Sequence, residues 1–282
     1  MATTADYLTQ LQADKQTLVD NLVAKGVEAT SNETFTTLAP KVANISGGGA
    51  NFEITDASYL FYYKARIDII NELCSIISSS CTNFKYMFAY CDNLTEVPEL
   101  NTSNGTDFYG MFMSCNKLTE VPQLDTSNGT NFYGMFHTCA NLTTIPELNT
   151  SNGTNFDSIF SGCSKLTTIP ELDGSNATNM GSNIFNNCKS LTTFGGFKNL
   201  GKAYTRTSNN YGSYKLDLSK ASLLTHESLM NVINNLYDLN LTYDVANGGT
   251  LYTQSLVLGS TLMALLTEEE IAVATAKGWV VS

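Results

Sequence analysis

The sequence has few charged residues and almost no histidine. Asp, Glu, Lys and Arg make up 15% of its 282 residues, and there are two histidines. The chain is 43% hydrophobic and takes its polarity from Asn, Ser and Thr. This balance is typical of a globular protein and excludes a charge-rich disordered one. The sequence therefore contains enough apolar residues for a sizeable core or an elongated array of repeats.

Basic residues and long hydrophobic runs are also scarce. Fifteen Lys and Arg face 26 Asp and Glu, a net charge of −11, so the chain lacks the basic surface that would favour nucleic acid as a partner. No apolar run approaches the roughly 18 residues that cross a bilayer, and the start lacks the basic-then-apolar order of a signal peptide. We expect no membrane insertion, and a chain that stays in its cell, leaves it without the general secretion signal, or has been trimmed.

The cysteines reveal an internal repeat. Four of the seven are spaced by 24 residues, and Cys188 follows after 25: the four are Cys91, Cys115, Cys139 and Cys163. Repeats of 24 residues begin at Thr82, Thr106, Thr130 and Thr154, a fifth begins at Thr178, and a worn leading copy begins near Thr55. A fixed period of this size predicts a stacked array. The repeated thiols are therefore expected to be small buried groups rather than metal ligands or disulfide partners.

Large apolar residues recur at two positions of the repeat, where stacking would bury them in a continuous core. They are Phe88, Phe112, Phe136, Phe160 and Phe185, followed by Leu94, Leu118, Leu142, Leu166 and Leu191. Val97, Val121, Ile145 and Ile169 suit one short strand per repeat, closed by the following proline. The Thr-Ser-Asn-Gly runs are turn signals. We predict a narrow parallel sheet at the Val and Ile positions.

The repeat reads F-x-x-M-F-x-x-C-x-x-L-T-x-[IV]-P-x-L-[DN]-T-S-N and resembles the BspA-like leucine-rich repeat family of bacterial surface and mobile-element proteins. The resemblance covers about residues 55–200. It implies an α/β repeat solenoid, that is, a leucine-rich repeat with a short parallel sheet. The last repeat lacks the proline and the Thr-Ser-Asn turn, so the regular array is expected to end near residue 200.

The N-terminal flank, residues 1–46, is predicted to be a helical attachment or oligomerisation segment. Its stripe of Leu8, Leu11, Lys15, Leu18 and Leu22 has heptad spacing, and Gly26 suits the end of the helix. A short second helix is predicted after Ser31 with Phe35 and Leu38, ending near Pro40, before a glycine-rich linker over residues 47–54. Leu11–Val42 resembles an attachment segment of tail-associated proteins of phages and prophages of Gram-positive gut bacteria.

The C-terminal flank, residues 201–282, is predicted to be a strand-helix cap. Strands are expected at Tyr214–Ser219 and Ser255–Leu258. Thr225 is expected to cap a helix from His226 to about Leu239, and Thr267 with Glu270 forms a capping box for a last helix that ends at Gly278. Leu224–Leu239 also resembles terminal caps of gut phage and bacterial repeat proteins.

Catalytic motifs are missing from the sequence. It has no Cys-x-x-Cys, HExxH or GxSxG motif and no phosphate-cradling glycine loop. His137 and His226 are far apart and are expected to be ordinary surface residues. A glycan hydrolase would need one carboxylate pair at a defined separation, whereas the glutamates here recur along the repeats. We expect a protein that is not an enzyme and has no cofactor and no metal.

Two surfaces are candidates for binding. The first gathers positions that differ between repeats while the core stays constant: Lys85, Tyr86, Tyr90, Tyr109, Met113, Tyr133, His137 and Asp157. Tyrosines suit recognition because they offer amphipathic area at low entropic cost, although partial packing on neighbouring repeats would explain them equally well. The second is the predicted strand face, with Glu96 and Glu120 among threonines, where solvated side chains are the simpler interpretation.

The lack of catalytic motifs and the repeated surface positions predict a recognition protein. The resemblance of the N-terminal segment implies that it lies on a phage or prophage tail, and the alternative is a bacterial cell-surface adhesin of the same repeat family. Its expected partner is a bacterial surface glycan or protein, with a neutral ligand favoured by the acidic charge. The N-terminal helix would bind a tail or baseplate protein or further copies of the chain.

Overall fold

The structure is a computed structural model that describes residues 54–63, 70, 74, 77–205, 215–241 and 254–282, together with positions 15, 16, 19, 20, 23, 28–30 and 32. The chain divides into two compact units: Met1–Ile54 with Arg66–Ser78, and Thr55–Ala65 with Ser79–Ser282. The second unit contains both the repeats and the C-terminal region.

The first unit is helical at its described positions between residues 15 and 23. The Gln16 side-chain amide donates to the Asp20 carboxylate at 2.7 Å across one helical turn. Ile54 pairs in parallel with Ile77. Most of the residues that carry the N-terminal predictions lie outside the described residues: Leu8, Leu11, Leu18, Leu22, Gly26, Phe35, Leu38, Pro40 and Gly47–Gly49.

In the second unit, backbone hydrogen bonds join the repeats along a segment that we call the aromatic turn, residues 84–91 and their counterparts. Within it, the N–H groups of Met87 and Cys91 donate to the carbonyls of Phe84 and Phe88 at 3.2 Å. Alternate N–H groups donate to the next repeat instead at 2.7–2.9 Å: Phe84 to Asp107, Tyr86 to Tyr109, Phe88 to Met111 and Tyr90 to Met113. The repeats are thus held in register by a ladder of turns rather than of regular strands.

The leading copy takes part in the same ladder. Its N–H groups donate to the first full repeat at 2.8–3.0 Å: Ala57 to Asn83, Tyr59 to Lys85, Phe61 to Met87 and Tyr63 to Ala89. The Phe61 and Phe88 rings stack with centroids 5.2 Å apart. The copy that the sequence places near Thr55 is therefore a structural member of the array.

Two columns of phenylalanine fill the core. The predicted column continues from Phe88 through Phe112, Phe136 and Phe160 to Phe185, with centroids 5.5–6.1 Å apart. A second column, which we did not predict, consists of Phe84, Phe108, Phe132 and Phe156, with centroids 5.5–5.7 Å apart. Every ring of both columns is fully buried, so each full repeat from Thr82 to Thr154 contributes two phenylalanines to the core.

The repeated cysteines lie beside the first of these columns. Each thiol donates to the carbonyl of the column phenylalanine in the preceding repeat, from Cys91 to Phe61 through Cys188 to Phe160, at 3.0–3.1 Å. All seven cysteines are buried, and none forms a disulfide. Burial raises the pKa of Cys139 to about 12, so its reactive thiolate is scarce at neutral pH.

A thiol reagent should therefore leave Cys91, Cys115, Cys139 and Cys163 unlabelled in the native protein and label them after denaturation. Mass mapping of the labelled peptides measures this, and Ser222→Cys, at an exposed position, is the control that should react at once. Rapid labelling of all four native thiols would contradict their burial, and disulfide bridges found under non-reducing conditions would contradict their reduced state.

The parallel sheet predicted at the Val and Ile positions was wrong for most repeats. Strand β1 (Thr168–Ile169) pairs in parallel with β3 (Thr193–Phe194), and β2 (Leu172–Asp173) pairs with β4 (Phe197–Lys198). Val97 and Val121 lie in no strand. The cause is the proline that follows each of these positions, because it has no N–H to donate. In the last repeat the proline is replaced by Gly195. The Gly195 N–H donates to the Ile169 carbonyl at 3.0 Å, which extends the pairing of β1 with β3.

The C-terminal region has the two predicted strands and the two predicted helices, together with a third strand and a short helix that were not predicted. Strands β5 (Lys215–Asp217), β6 (Ser255–Val257) and β7 (Val280–Val281) form a parallel sheet in that order. Helices α1, α2 and α3 span His226–Asn235, Gly259–Met263 and Glu268–Ala276. Thr225 caps α1, and the capping box of Thr267 and Glu270 is present. Helix α1 ends earlier than predicted because Leu236 pairs with Leu200.

Helix α1 covers the last repeat. The Thr225 N–H donates to Thr192 at 3.0 Å, and the Phe194 N–H donates to the Ser228 hydroxyl at 3.0 Å. The apolar face of α1, formed by Leu229, Val232 and Ile233, is buried, and α1 contacts β3 and β4. The Lys277 ammonium donates to three carbonyls at the end of α1 at 2.7–3.1 Å, which satisfies acceptors that a helix terminus leaves free.

Candidate functional site

Seven tyrosines of the aromatic turns form a continuous cluster, which we call the tyrosine face. They are Tyr59, Tyr62, Tyr63, Tyr86, Tyr90, Tyr109 and Tyr133. Tyr63 stacks on Tyr90 at 4.8 Å, and Tyr109 stacks on Tyr133 at 4.5 Å between centroids. Edge-to-face and tilted contacts of 4.5–6.0 Å link the remaining rings. The four tyrosines predicted from the sequence are thus brought together by the fold.

Four of these tyrosines have an unusual backbone conformation. Tyr59, Tyr63, Tyr86 and Tyr90 have φ between 53° and 60°, the left-handed region that side chains normally avoid. The turns require it, because each of these N–H groups donates to the next repeat. In the next repeat the position of Tyr86 is taken by Gly110, whose φ is 57°. A β-carbon at Gly110 would lie 2.6 Å from the Tyr86 ring, so the glycine also makes room for that ring.

Lys85 places a cation within the tyrosine face. Its ammonium lies 4.9 Å from the centroid of the Tyr109 ring and 5.9 Å from that of Tyr86. Both distances fall within the range of a cation–π interaction. The positions equivalent to Lys85 in the next three repeats are Tyr109, Tyr133 and Asp157, so this column runs from a cation through two aromatic rings to a carboxylate.

The sequence missed three members of the cluster, Tyr59, Tyr62 and Tyr63. They belong to the leading copy, in which 27 residues rather than 24 separate Thr55 from Thr82. Aligning the two threonines places Tyr59 on Tyr86 and Tyr63 on Tyr90. That alignment would have identified Tyr59 and Tyr63 as members of the cluster from the sequence.

Met113 does not belong to an accessible surface. We predicted it as a variable contact residue, but its side chain is buried, with 8% exposed. The reason is the glycine of the next repeat, since a β-carbon at Gly134 would lie 3.0 Å from the Met113 methyl group. The methionine therefore fills the space that Gly134 leaves open.

The two histidines occupy different surroundings. His137 is half-buried, its Nδ1 lies 3.0 Å from the Thr138 hydroxyl, and burial lowers its pKa. His226 is exposed, and its Nε2 lies 2.8 Å from the Glu270 carboxylate. In the described part of the chain, no group of three His, Cys, Asp or Glu side chains could hold a metal ion.

On the second candidate surface, part of the threonine hydroxyl groups bond to neighbouring repeats. Glu96 and Glu120 are exposed on the segment that precedes the proline of each repeat, not in the aromatic turn. Threonine hydroxyls of this segment donate to carbonyls of the preceding repeat at 3.1–3.2 Å: Thr143 to Thr119, Thr167 to Thr143 and Thr192 to Thr167. These hydroxyls contribute to stacking, which favours the solvated interpretation of this surface.

Comparison with protein families identifies one match. The model described as "Mycoplasma protein of unknown function, DUF285" matches residues 51–144 and again residues 82–195, which together cover just over half of the chain. No curated protein and no solved structure matches this chain. Within the described residues, no helix is both long enough and apolar enough to span a membrane.

Proposed function

We propose a recognition function for this chain, which belongs to the family described as Mycoplasma protein of unknown function, DUF285. It is a non-enzymatic protein that contacts a bacterial surface through the tyrosine face. Its repeats form an α/β leucine-rich-repeat solenoid of the BspA-like type, a proposal that rests on the repeat motif and on the register of the aromatic turns.

The observation that carries this proposal is the conformation of the tyrosines. A non-glycine residue in the left-handed region costs roughly 1–2 kcal/mol, and Gly110 and Gly134 take the position of Tyr86 in the next two repeats. Ring contacts return about 0.5–1.5 kcal/mol per pair. Because the two effects are of similar size, folding does not require tyrosine there. We propose that contact with a ligand is what favours tyrosine at these positions.

The chain is presented to its target by residues 1–46. This part of the proposal rests on the heptad spacing of the segment and on its resemblance to tail-associated proteins of phages and prophages. A tail or baseplate protein, or further copies of the chain, would bind the segment. The alternative is a bacterial cell-surface adhesin, which would use the same tyrosine face. Tail and baseplate genes beside this one would favour the phage assignment.

The test compares two double variants that place glycine at equivalent turn positions. Tyr86→Gly/Tyr90→Gly removes two rings of the tyrosine face, whereas Ser158→Gly/Ser114→Gly makes the same backbone change outside it, since both serines also have φ near 60°. Labelled protein is added to a panel of Gram-positive gut bacteria, and bound fluorescence is measured by flow cytometry. We expect the control to bind like the wild type and the tyrosine variant to lose at least tenfold in affinity.

Two results would contradict this assignment. One is unchanged cell binding by the folded tyrosine variant. The other is loss of binding in Glu96→Ala/Glu120→Ala, which would move the site to the segment before the prolines.

A further inference from the structure

We infer that the ligand of the tyrosine face is a short neutral saccharide of one to three sugar units. This inference rests on the proposed function and narrows it, because a glycan and a protein are both bacterial surface ligands. Three observations support it: the exposed area, the arrangement of the rings and hydroxyls, and the local charge.

The exposed area of the seven tyrosines is that of a small-ligand site, about half of a standard protein interface. Six of the seven tyrosines are half-buried, and Tyr63 is 61% exposed. At about 200 Å² per tyrosine, the cluster offers on the order of 400 Å². A stable protein–protein interface covers about 800 Å² on each partner. A ligand of a few sugar units is small enough to bury most of its surface on the tyrosine face.

The ring arrangement suits the chemistry of a sugar. Tyr63 stacks on Tyr90 with one face and is 61% exposed, so the rest of its ring is accessible to a ligand. Burial raises the pKa of Tyr133, helped by Asp157 and by a hydrogen bond with Tyr109. The Tyr133 hydroxyl therefore stays protonated, and its oxygen can accept from a sugar hydroxyl. A pyranose presents apolar C–H groups and hydroxyls within one ring, which match the aromatic carbons, the phenol groups and the Lys85 ammonium.

The local charge favours a neutral sugar over an acidic one. Lys85 is the basic residue of the aromatic turns within the described part of the chain, and Asp56, Asp107 and Asp157 occupy equivalent or adjacent positions of neighbouring repeats. Because burial lowers the pKa of His137, this side chain adds no positive charge at neutral pH. In these described turns three carboxylates outnumber the Lys85 ammonium, which disfavours an anionic ligand, and the net charge of −11 acts in the same direction.

The backbone holds the cluster in a binding-ready arrangement. Tyr59, Tyr63, Tyr86 and Tyr90 each sit in a turn whose N–H is bonded to the next repeat. Little conformational entropy is then lost when a ligand binds, which matters for a small ligand that makes few contacts.

The test titrates the full chain with a panel of neutral trisaccharides built from hexoses and N-acetylhexosamines, and with matched trisaccharides that carry a uronic acid. Binding is followed by saturation-transfer NMR and calorimetry. We expect at least one neutral trisaccharide to bind, with less than a twofold change in Kd between 50 and 500 mM salt. The Tyr109→Ala/Tyr133→Ala variant should bind this trisaccharide with at least tenfold lower affinity. Tyr237→Ala, outside the tyrosine face, should bind normally.

Treatment of the target cells separates this inference from the proposed function. Periodate oxidation of surface glycans should abolish cell binding, whereas protease treatment should not. Binding that survives periodate and disappears with protease would overturn the saccharide and leave the recognition function standing. Preference for the acidic trisaccharides with a steep salt dependence would overturn the neutral ligand. Absence of binding to any cell would instead count against the proposed function itself.

Discussion

Replacing Phe136 with alanine should lower the free energy of unfolding by about 3–5 kcal/mol. The ring is fully buried and lies between Phe112 and Phe160, with centroids 5.8 and 6.1 Å away. Removing it deletes stacking contacts on both faces and leaves a cavity in the middle of the array. Neighbouring repeats cannot close this cavity easily, because the hydrogen bonds of the aromatic turns fix their separation.

The control is Tyr133→Ala, three residues away in the same repeat. This ring is half-buried and has one stacked neighbour, Tyr109, so its loss should cost about 1 kcal/mol. Urea denaturation followed by circular dichroism measures both variants. Equal decreases in the free energy of unfolding would mean that Phe136 is not a core residue and Tyr133 is not a surface residue of the aromatic turn.

The repeat period, one phenylalanine column and the buried leucine of each repeat were predictable because identical residues recur at a fixed spacing. The second column, Phe84 to Phe156, recurs just as regularly, but the leading copy carries Ala57 at that position. Only the column that continues into Phe61 runs through every copy. Spacing alone does not show that two phenylalanines four residues apart both point inward, because this depends on the conformation of the turn between them.

The aromatic turn itself was not predictable from local preferences. Tyr86 and Tyr90 disfavour positive φ, and their conformation is imposed by hydrogen bonds to the next repeat. The prediction of strands failed for a related reason. The alternation at Val97 and Val121 is typical of a strand, but the following proline removes the donor that a parallel ladder needs. In the aromatic turn, hydrogen bonds between repeats override the preference of tyrosine for negative φ. At Val97 and Val121, the missing proline N–H prevents the strand that the alternating pattern predicts.

The candidate site was partly predictable by the same logic. Tyr109 and Tyr133 stand out because equivalent positions of other repeats carry other residues. Tyr62 has no such signal, since its equivalent, Ala89, is small and buried. Met113 varies between repeats as the tyrosines do, yet packs over a glycine. Variation between repeats therefore marks positions that the core leaves free, but does not show whether each side chain faces solvent.

The cap on the last repeat should be as important to stability as the core. Ile233 is fully buried in α1, on the face that packs toward β3 and β4. Ile233→Asp would bury an unpaired carboxylate there, and such a charge costs several kcal/mol. Helix α1 should then detach and expose Phe194 and Phe197, whose rings it helps to shield. In an array where each repeat contacts its neighbours, this loss should spread from the cap into the adjacent repeats.

Hydrogen exchange followed by mass spectrometry measures that spread. In Ile233→Asp, amides of β3 and β4 should exchange at least a hundredfold faster than in the wild type, with a smaller increase around the repeat that begins at Thr130. Asn234→Asp, the neighbouring exposed position of the same helix, introduces the same charge and should leave exchange nearly unchanged. If β3 and β4 stayed protected in Ile233→Asp, the repeats would be closed without α1, and the C-terminal region would be an appended module rather than their cap.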